Sequence, residues 1–270
     1  MPIPKVYIDG SAGTTGLRIQ DRLASRDDIE VTILSESHRR DPELRRAATA
    51  NADLTILCLP DDAAIEAAAW ASKSDTKVVD ASTAHRVNDE WAFGLPEMTP
   101  DQRKKIINSR RVTNPGCYPT GVILSIRPLI ENGMISNDAP ITIHALSGYT
   151  GGGKNLIAKW EHEQPDLINL PFESPYELHT EHKHIPEMQK YTGLAYAPQF
   201  MPSVGSFPTG MRIEIPIHKI LIPKGVTANN IWEVLDHHYA EEQFVKINRI
   251  EESLAYSHPA FDPRSTNGTN

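Results

Sequence analysis

Lys5-Val6-Tyr7-Ile8-Asp9 has the apolar character of a strand and runs directly into Gly10-Ser11-Ala12-Gly13-Thr14-Thr15-Gly16. A helical repeat follows at once, with Gly16, Ile19 and Leu23 on one face. Glycines allow a tight turn and a close approach of the backbone, and the start of the next helix offers unpaired N–H groups to a pyrophosphate. The spacing is G-x-x-G-x-x-G and not the commoner G-x-G-x-x-G, so a plain loop stays open as an alternative. Further strand candidates recur at Glu30 to Leu34, Leu54 to Leu59, Lys77 to Asp80 and Arg111 to Thr113. Helical stretches lie between them, notably the alanine-rich Asp62 to Ala71. This alternation predicts a parallel, doubly wound α/β sheet. Ligands of such sheets bind at the carboxyl ends of the strands, which here carry Ser35, Pro60, Ser82 and Cys117.

The segment after the second strand decides between dinucleotides, because an acidic residue there suits NAD and arginine suits the extra phosphate of NADP. Ser35-Glu36-Ser37-His38-Arg39-Arg40 offers two hydroxyls and two arginines against one glutamate, which favours NADP. Arg39 and Arg40 can also be solvated, or pair with Asp41 and Glu43. The cofactor candidates are therefore Gly10, Ser11, Gly13, Thr14, Thr15, Gly16, Ser35, Arg39, Arg40, Pro60 and Ser82.

Cys117 lies in Asn114-Pro115-Gly116-Cys117-Tyr118-Pro119-Thr120-Gly121, where a strand gives way to the apolar helical pattern Val122, Ile123, Ile126, Leu129, Ile130. Pro119 fits the first turn, where a missing N–H costs nothing. A thiol at a helix start faces unpaired N–H groups and the positive end of the dipole, which favour the nucleophilic thiolate. Cys58, inside an apolar run, is expected to be an inert core residue.

Beyond Cys117 the alternation of strand and helix stops. Ile141 to Leu146 reads as a strand ending in the turn Ser147-Gly148-Tyr149-Thr150-Gly151-Gly152-Gly153-Lys154, whose N–H groups suit an oxyanion, although a flexible loop is the competing reading. Three histidines fall within His179 to His184. His182 and His184 are two apart with no cysteine nearby, which does not match a zinc motif, and no metal is expected. A histidine facing the cysteine as acid and base is the preferred reading, ahead of incidental histidines at a surface helix start. Met211 to Ile217 alternates as a half-covered strand, and Ile231 to Tyr239 as an amphipathic helix.

Bulk properties exclude several classes. The 270 residues carry a net charge of −8 with no basic stripe, so no nucleic-acid partner is expected. No stretch approaches the ~18 apolar residues of a membrane span. The strand pattern begins at Lys5, which predicts no signal sequence. Two cysteines make no disulfide framework. A soluble cytoplasmic protein is expected.

GSAGTTG, CLPDDA, DASTAHR, FGLPEM, NPGCYPTG, SGYTGGGK, HKHIPEM and FMPSVGSFPTGM, in that order along essentially all of the chain, resemble the short type of the N-acetyl-γ-glutamyl-phosphate reductase family of arginine biosynthesis. The resemblance implies an N-terminal Rossmann-type NADP-binding domain over 1–116. It implies a C-terminal α+β catalytic and dimerisation domain of the glyceraldehyde-3-phosphate dehydrogenase-like type over 117–270, in a homo-oligomer, dimer or tetramer. It further implies NADPH-dependent reduction of a small-molecule acyl phosphate to an aldehyde through a thioester on Cys117, a phosphorylating aldehyde dehydrogenase reaction. His184 would be the acid/base, with His182 and Tyr176 in the substrate pocket and Ser147 and Gly148 polarising the thioester oxygen. Arg86 and Asn114 match positions that hold the substrate phosphate in related semialdehyde dehydrogenases. The family's chain continues past Asn270 through a strand and a closing helix that this sequence does not include. The rivals are a sister enzyme acting on aspartyl or aminoadipyl phosphate, and a silent NADP-binding paralogue.

Overall fold

The computed structural model describes residues 2–162, 172–253 and 262–265. Residue contacts divide the chain into two units, Met1–Pro115 and Gly116–Asn270.

The N-terminal unit runs β1 (Lys5–Asp9), α1 (Thr14–Leu23), β2 (Glu30–Thr32), α2 (Pro42–Ala50), β3 (Leu54–Leu57), α3 (Asp61–Ala71), β4 (Lys77–Asp80), β5 (Ala92–Phe93), α4 (Gln102–Asn108) and β6 (Arg111–Thr113). Its six strands are ordered β2-β1-β3-β4-β6-β5, all parallel. The second strand stops at Thr32, short of the expected Leu34, because it is an edge strand with only β1 to pair with. The third ends at Leu57, although the Cys58 N–H still donates to Asp9 O at 2.8 Å. Asp9 aligns with Leu57, Leu57 with Asp80, and Asp80 with Thr113. The segments that follow these four strands therefore leave from one edge of the sheet. Small side chains bring α3 onto it, with Ala64 and Ala67 fully buried beside Leu57 and Val78.

A buried ion pair fixes α2 against β1. Arg45 donates Nε and Nη2 to the carboxylate of Asp9 at 3.0–3.2 Å, and its guanidinium also lies over the Trp70 ring. Burial and the nearby Asp9 charge push the Tyr7 phenol well above its ordinary pKa.

The C-terminal unit runs α5 (Cys117–Glu131), β7 (Thr142–Gly148), α6 (Lys154–Trp160), β8 (Glu173–Pro175), α7 (Ile185–Thr192), β9 (Gln199–Gly205), β10 (Met211–Glu214), α8 (Ala228–Tyr239) and the short α9 (Ile250–Ser253). Its mixed sheet is ordered β10-β7-β9-β8, with β7 and β9 parallel and the outer pairs antiparallel. Tyr118, Val122, Ile126 and Leu129 recur on one face of α5 and are buried against Ile143, Ala145, Met188 and Phe200. Burying four such side chains is worth roughly 1.5–3 kcal/mol each. Pro128 sits inside this helix and has no N–H for the Leu124 carbonyl one turn back. The Tyr239 hydroxyl of α8 donates to that carbonyl instead, at 2.7 Å, so the proline is accommodated.

Candidate active site

The first glycine turn is built as a cradle. Gly10 has φ +87°, and a Cβ there would fall 2.2 Å from Cys58 O; one on Gly16 would fall 2.4 Å from Gly10 O. The Gly13 N–H closes the turn onto Gly10 O at 3.1 Å. Helix α1 opens at Thr14 with no side-chain cap and no acidic residue in its first turn. A helix end in that state takes an anion, and a backbone that tolerates no Cβ suits a ligand lying against it. These residues fit a dinucleotide pyrophosphate, with Ser11, Thr14 and Thr15 at its rim.

Ser35, Arg39 and Arg40 lie together after β2. Ser35 Oγ bonds Ser37 Oγ and His38 Nδ1, each at 3.1 Å, and Arg39 pairs with Glu36 at 2.5 Å. Arg40 is exposed. Pro60 caps α3, and Ser82 is buried beyond β4. Arg86 is buried in the same loop and donates Nη2 to Ala81 O at 3.2 Å. Asn114 follows β6, with its N–H bonded to Asp80 O at 2.7 Å. All eleven expected cofactor residues, with Arg86 and Asn114, thus sit on segments at the carboxyl edge of the sheet.

In the C-terminal unit Cys117 is the first residue of α5 and is exposed. Both of its neighbours are tied down. Gly116 N–H donates to the buried Glu187 carboxylate at 3.0 Å. The Tyr118 ring meets His182 and His184 edge-on, with centroids 6.1 and 5.9 Å away, and its hydroxyl donates to Ser147 Oγ at 2.9 Å. Tyr176 extends this chain of hydroxyls, its OH 3.4 Å from that of Tyr118. Burial raises both phenol pKa values, so both stay protonated at neutral pH.

His184 caps α7 and is buried, as is His182. The His184 N–H donates to His182 Nδ1 at 3.1 Å, so His182 carries its proton on Nε2. Burial lowers the His182 pKa, which keeps that ring neutral. His179 is exposed and pairs with Glu177 at 3.0 Å. The Tyr176–His182 loop holds two non-glycine residues in the left-handed region, Glu177 at φ 50° and Thr180 at φ 62°, which is backbone strain of the kind concentrated at functional sites.

The strand before the second glycine turn is longer than expected. Ser147 and Gly148 belong to β7, paired with Val204 and Gly205, because the flanking strands β9 and β10 extend that far. Gly148 N–H is taken by Gly210 O at 3.0 Å, and a Cβ on Gly148 would meet Pro208 O at 2.5 Å. Gly148 therefore contributes close packing, and the donor left to the pair is the Ser147 hydroxyl, which here makes only a long 3.4 Å bond to Gly148 O. Sequence reasoning assigned no role to Glu187 or Tyr118. The burial of Glu187 on its helix is set by tertiary packing and shows only in the structure.

Residues 40–106 match the semialdehyde dehydrogenase NAD-binding domain and residues 117–270 the semialdehyde dehydrogenase dimerisation domain. The N-acetyl-gamma-glutamyl-phosphate reductase of Burkholderia cenocepacia is 42% identical over 270 residues, which is 100% of this chain and 85% of that protein. The N-acetyl-gamma-glutamyl-phosphate reductase 2 of a Nostoc species is 44% identical, over 99% of this chain and 84% of that protein. The chain belongs to the N-acetyl-gamma-glutamyl-phosphate reductase family. Among solved structures, aspartate semialdehyde dehydrogenase II of Vibrio cholerae shares this chain's fold at 13% identity, with TM-score 0.66 over 88% of this chain and 80% of that one. Among the described residues no helix is long and apolar enough to cross a membrane, and no group of His, Cys, Asp and Glu side chains is arranged to hold a metal ion.

Proposed function

We propose that this chain reduces N-acetyl-L-glutamyl 5-phosphate to N-acetyl-L-glutamate 5-semialdehyde and inorganic phosphate in arginine biosynthesis, with NADPH as reductant. The observation that carries the reading is the exposed thiol of Cys117 at the head of α5, with its neighbours Gly116 and Tyr118 held by Glu187 and the His182–His184 pair.

Gly10, Gly13 and Gly16 would bring the backbone against the cofactor's pyrophosphate, and Ser35, Arg39 and Arg40 would hold its adenosine end with the extra phosphate. Cys117 gives its proton to His184 and attacks the acyl carbon. The carbon–oxygen bond to phosphate breaks, and His184 passes the proton to the departing phosphate. Arg86 and Asn114 hold that phosphate. Bound NADPH supplies the hydride that takes the thioester carbon to the aldehyde oxidation level. The Ser147 hydroxyl, oriented by the Tyr118 O–H that it accepts, donates to the developing oxyanion. The oxyanion then collapses to the aldehyde, and the carbon–sulfur bond breaks to return the Cys117 thiolate. His182, fixed neutral with a donor on Nε2, and the Tyr176 hydroxyl orient the rest of the substrate.

The reading takes the protein as a cytoplasmic homo-oligomer, dimer or tetramer, supported by the match to a dimerisation domain. It takes 1–116 as the NADP-binding and 117–270 as the catalytic domain.

The test is phosphate-dependent reduction of NADP by purified protein with N-acetylglutamate semialdehyde, set beside aspartate semialdehyde. Cys117→Ser is expected to abolish turnover while NADP still binds, and His184→Asn to cost about 10²–10⁴-fold in rate. Full activity in Cys117→Ser would end the covalent reading, and faster turnover of aspartate semialdehyde would reassign the substrate.

A further inference from the structure

The loop that carries Arg86 is wound around one carboxylate. Asp80, wholly buried at the end of β4, accepts the Ser82 N–H at 2.9 Å, the Ser82 hydroxyl at 2.7 Å and His85 Nδ1 at 2.6 Å. Its backbone carbonyl accepts the Asn114 N–H at 2.7 Å. The next carbonyl, Ala81 O, accepts Arg86 Nη2 at 3.2 Å. Both residues read above as phosphate ligands are thus anchored within one residue of Asp80, one through its backbone and one through its side chain.

His85 is the far strut of this assembly. A carboxylate only accepts, so the His85 proton on this side resides on Nδ1. The other side of the ring is clamped, stacked on buried Trp91 with centroids 4.1 Å apart and planes 16° from parallel. The loop is fastened on its outer side too, since the Thr83 N–H and hydroxyl both donate to Asp61 at the head of α3. Neither Asp80 nor His85 has a part in the proton transfers above. A buried carboxylate with three donors, one backbone and two side-chain, is costly unless every bond is kept, which holds the loop to this arrangement.

We propose that His85, acting through Asp80, is a positioning residue for the phosphate subsite, holding the loop so that the Arg86 guanidinium stands at a fixed place beside Asn114. This rests on the reading of Arg86 as a phosphate ligand. The anion recognised is the phosphate dianion, free in the aldehyde-oxidising direction and acyl-linked in the reducing one. A bidentate or forked guanidinium contact loses strength steeply when its geometry shifts, so a misplaced loop weakens phosphate and leaves the other substrates alone.

The experiment measures KM for inorganic phosphate, for the aldehyde and for NADP, with kcat, in the aldehyde-oxidising direction using the whole protein. His85→Asn keeps an N–H where Nδ1 stands, His85→Gln carries it one methylene further, and His85→Leu removes it. Leu and Gln are expected to raise the phosphate KM about tenfold, with Asn within about twofold of the parent, as expected for one charge-assisted hydrogen bond. KM for aldehyde and NADP, and kcat, stay near the parent values in all three. If His85→Leu does not fold, the contrast between Asn and Gln decides. Arg86→Ala is the control for the underlying reading and is expected to raise the phosphate KM further. A normal phosphate KM in the His85 variants alongside a raised one in Arg86→Ala overturns the positioning role and leaves the ligand. A normal phosphate KM in Arg86→Ala overturns the ligand and the positioning role with it. A loss of kcat at unchanged phosphate KM in the His85 variants marks a purely structural histidine and also overturns the proposal.

Discussion

The carboxylate of Glu187 accepts the backbone N–H of Gly116 across 71 residues of sequence, at 3.0 Å. It fixes the peptide immediately before Cys117 to the first turn of the helix that His184 caps. Glu187→Gln keeps an acceptor and Glu187→Ala leaves the buried N–H without this one. Alanine is expected to cost about 1–3 kcal/mol of stability, with glutamine costing less. Urea unfolding of the two variants measures this, and equal losses would mean that the carboxylate's other bonds outweigh the one to Gly116.

The two thiols are expected to differ in reactivity. Cys117 is exposed, whereas burial, with Asp80 and Asp9 nearby, pushes the Cys58 thiol up to about 12. Cys58 is half-buried and not fully enclosed as its apolar run suggested. Iodoacetamide at neutral pH should alkylate Cys117 in the native protein and spare Cys58, read by peptide mass spectrometry. Comparable labelling of both would refute the contrast.

Acid should weaken the fold through His182. Its pKa lies below the ordinary histidine value of about 6.5 because burial disfavours the imidazolium. Above that value neither the folded nor the unfolded chain holds the proton. As pH falls below it the unfolded chain protonates first, so stability declines until the folded-state pKa is passed, then levels off. His182→Asn keeps an acceptor for the His184 N–H and cannot titrate. Its Tm should fall less than the parent's between about pH 7 and about pH 5. Parallel Tm curves would rule His182 out as the source.

Gly10→Ala tests the cradle. The new Cβ meets a backbone carbonyl, Cys58 O, at 2.2 Å in a left-handed conformation, so both strain and collision oppose it. NADP affinity is expected to drop by roughly tenfold or more, the scale of one or two charge-assisted hydrogen bonds lost when the displaced turn no longer meets the pyrophosphate. Gly133→Ala, also at positive φ but with open space around its Cβ, is the control for strain without collision. Calorimetric titration of NADP that shows equal affinity in both variants would remove the cradle argument.

The sequence made legible whatever is local in its chemistry. The turn from Gly10 to Gly16, the helix starting at Cys117 and the parallel strands each depend on neighbours within a few residues. Ser147 and Gly148 were read as turn because a glycine run follows them, but pairing with Val204, Gly205 and Met211 draws them into the sheet. Partners set by tertiary packing left no local trace. Glu187 with Gly116, His85 with Trp91 as a stacked pair, and Tyr239 with the carbonyl that Pro128 abandons are all of this kind. The limit at Leu57 has the same origin, since the neighbouring strands β1 and β4 end opposite it at Asp9 and Asp80.

The Asp9–Arg45 pair lies immediately before Gly10, with side chains only 2% and 9% exposed. Charges so enclosed are screened far less than surface pairings such as Arg26 with Asp28, so concentrated salt weakens this one much less. The entrance to the dinucleotide cradle is accordingly anchored by an attraction that the ionic composition of the surrounding medium alters little. Neutralising either partner alone would strand its opposite in the interior, a heavier penalty than losing both together.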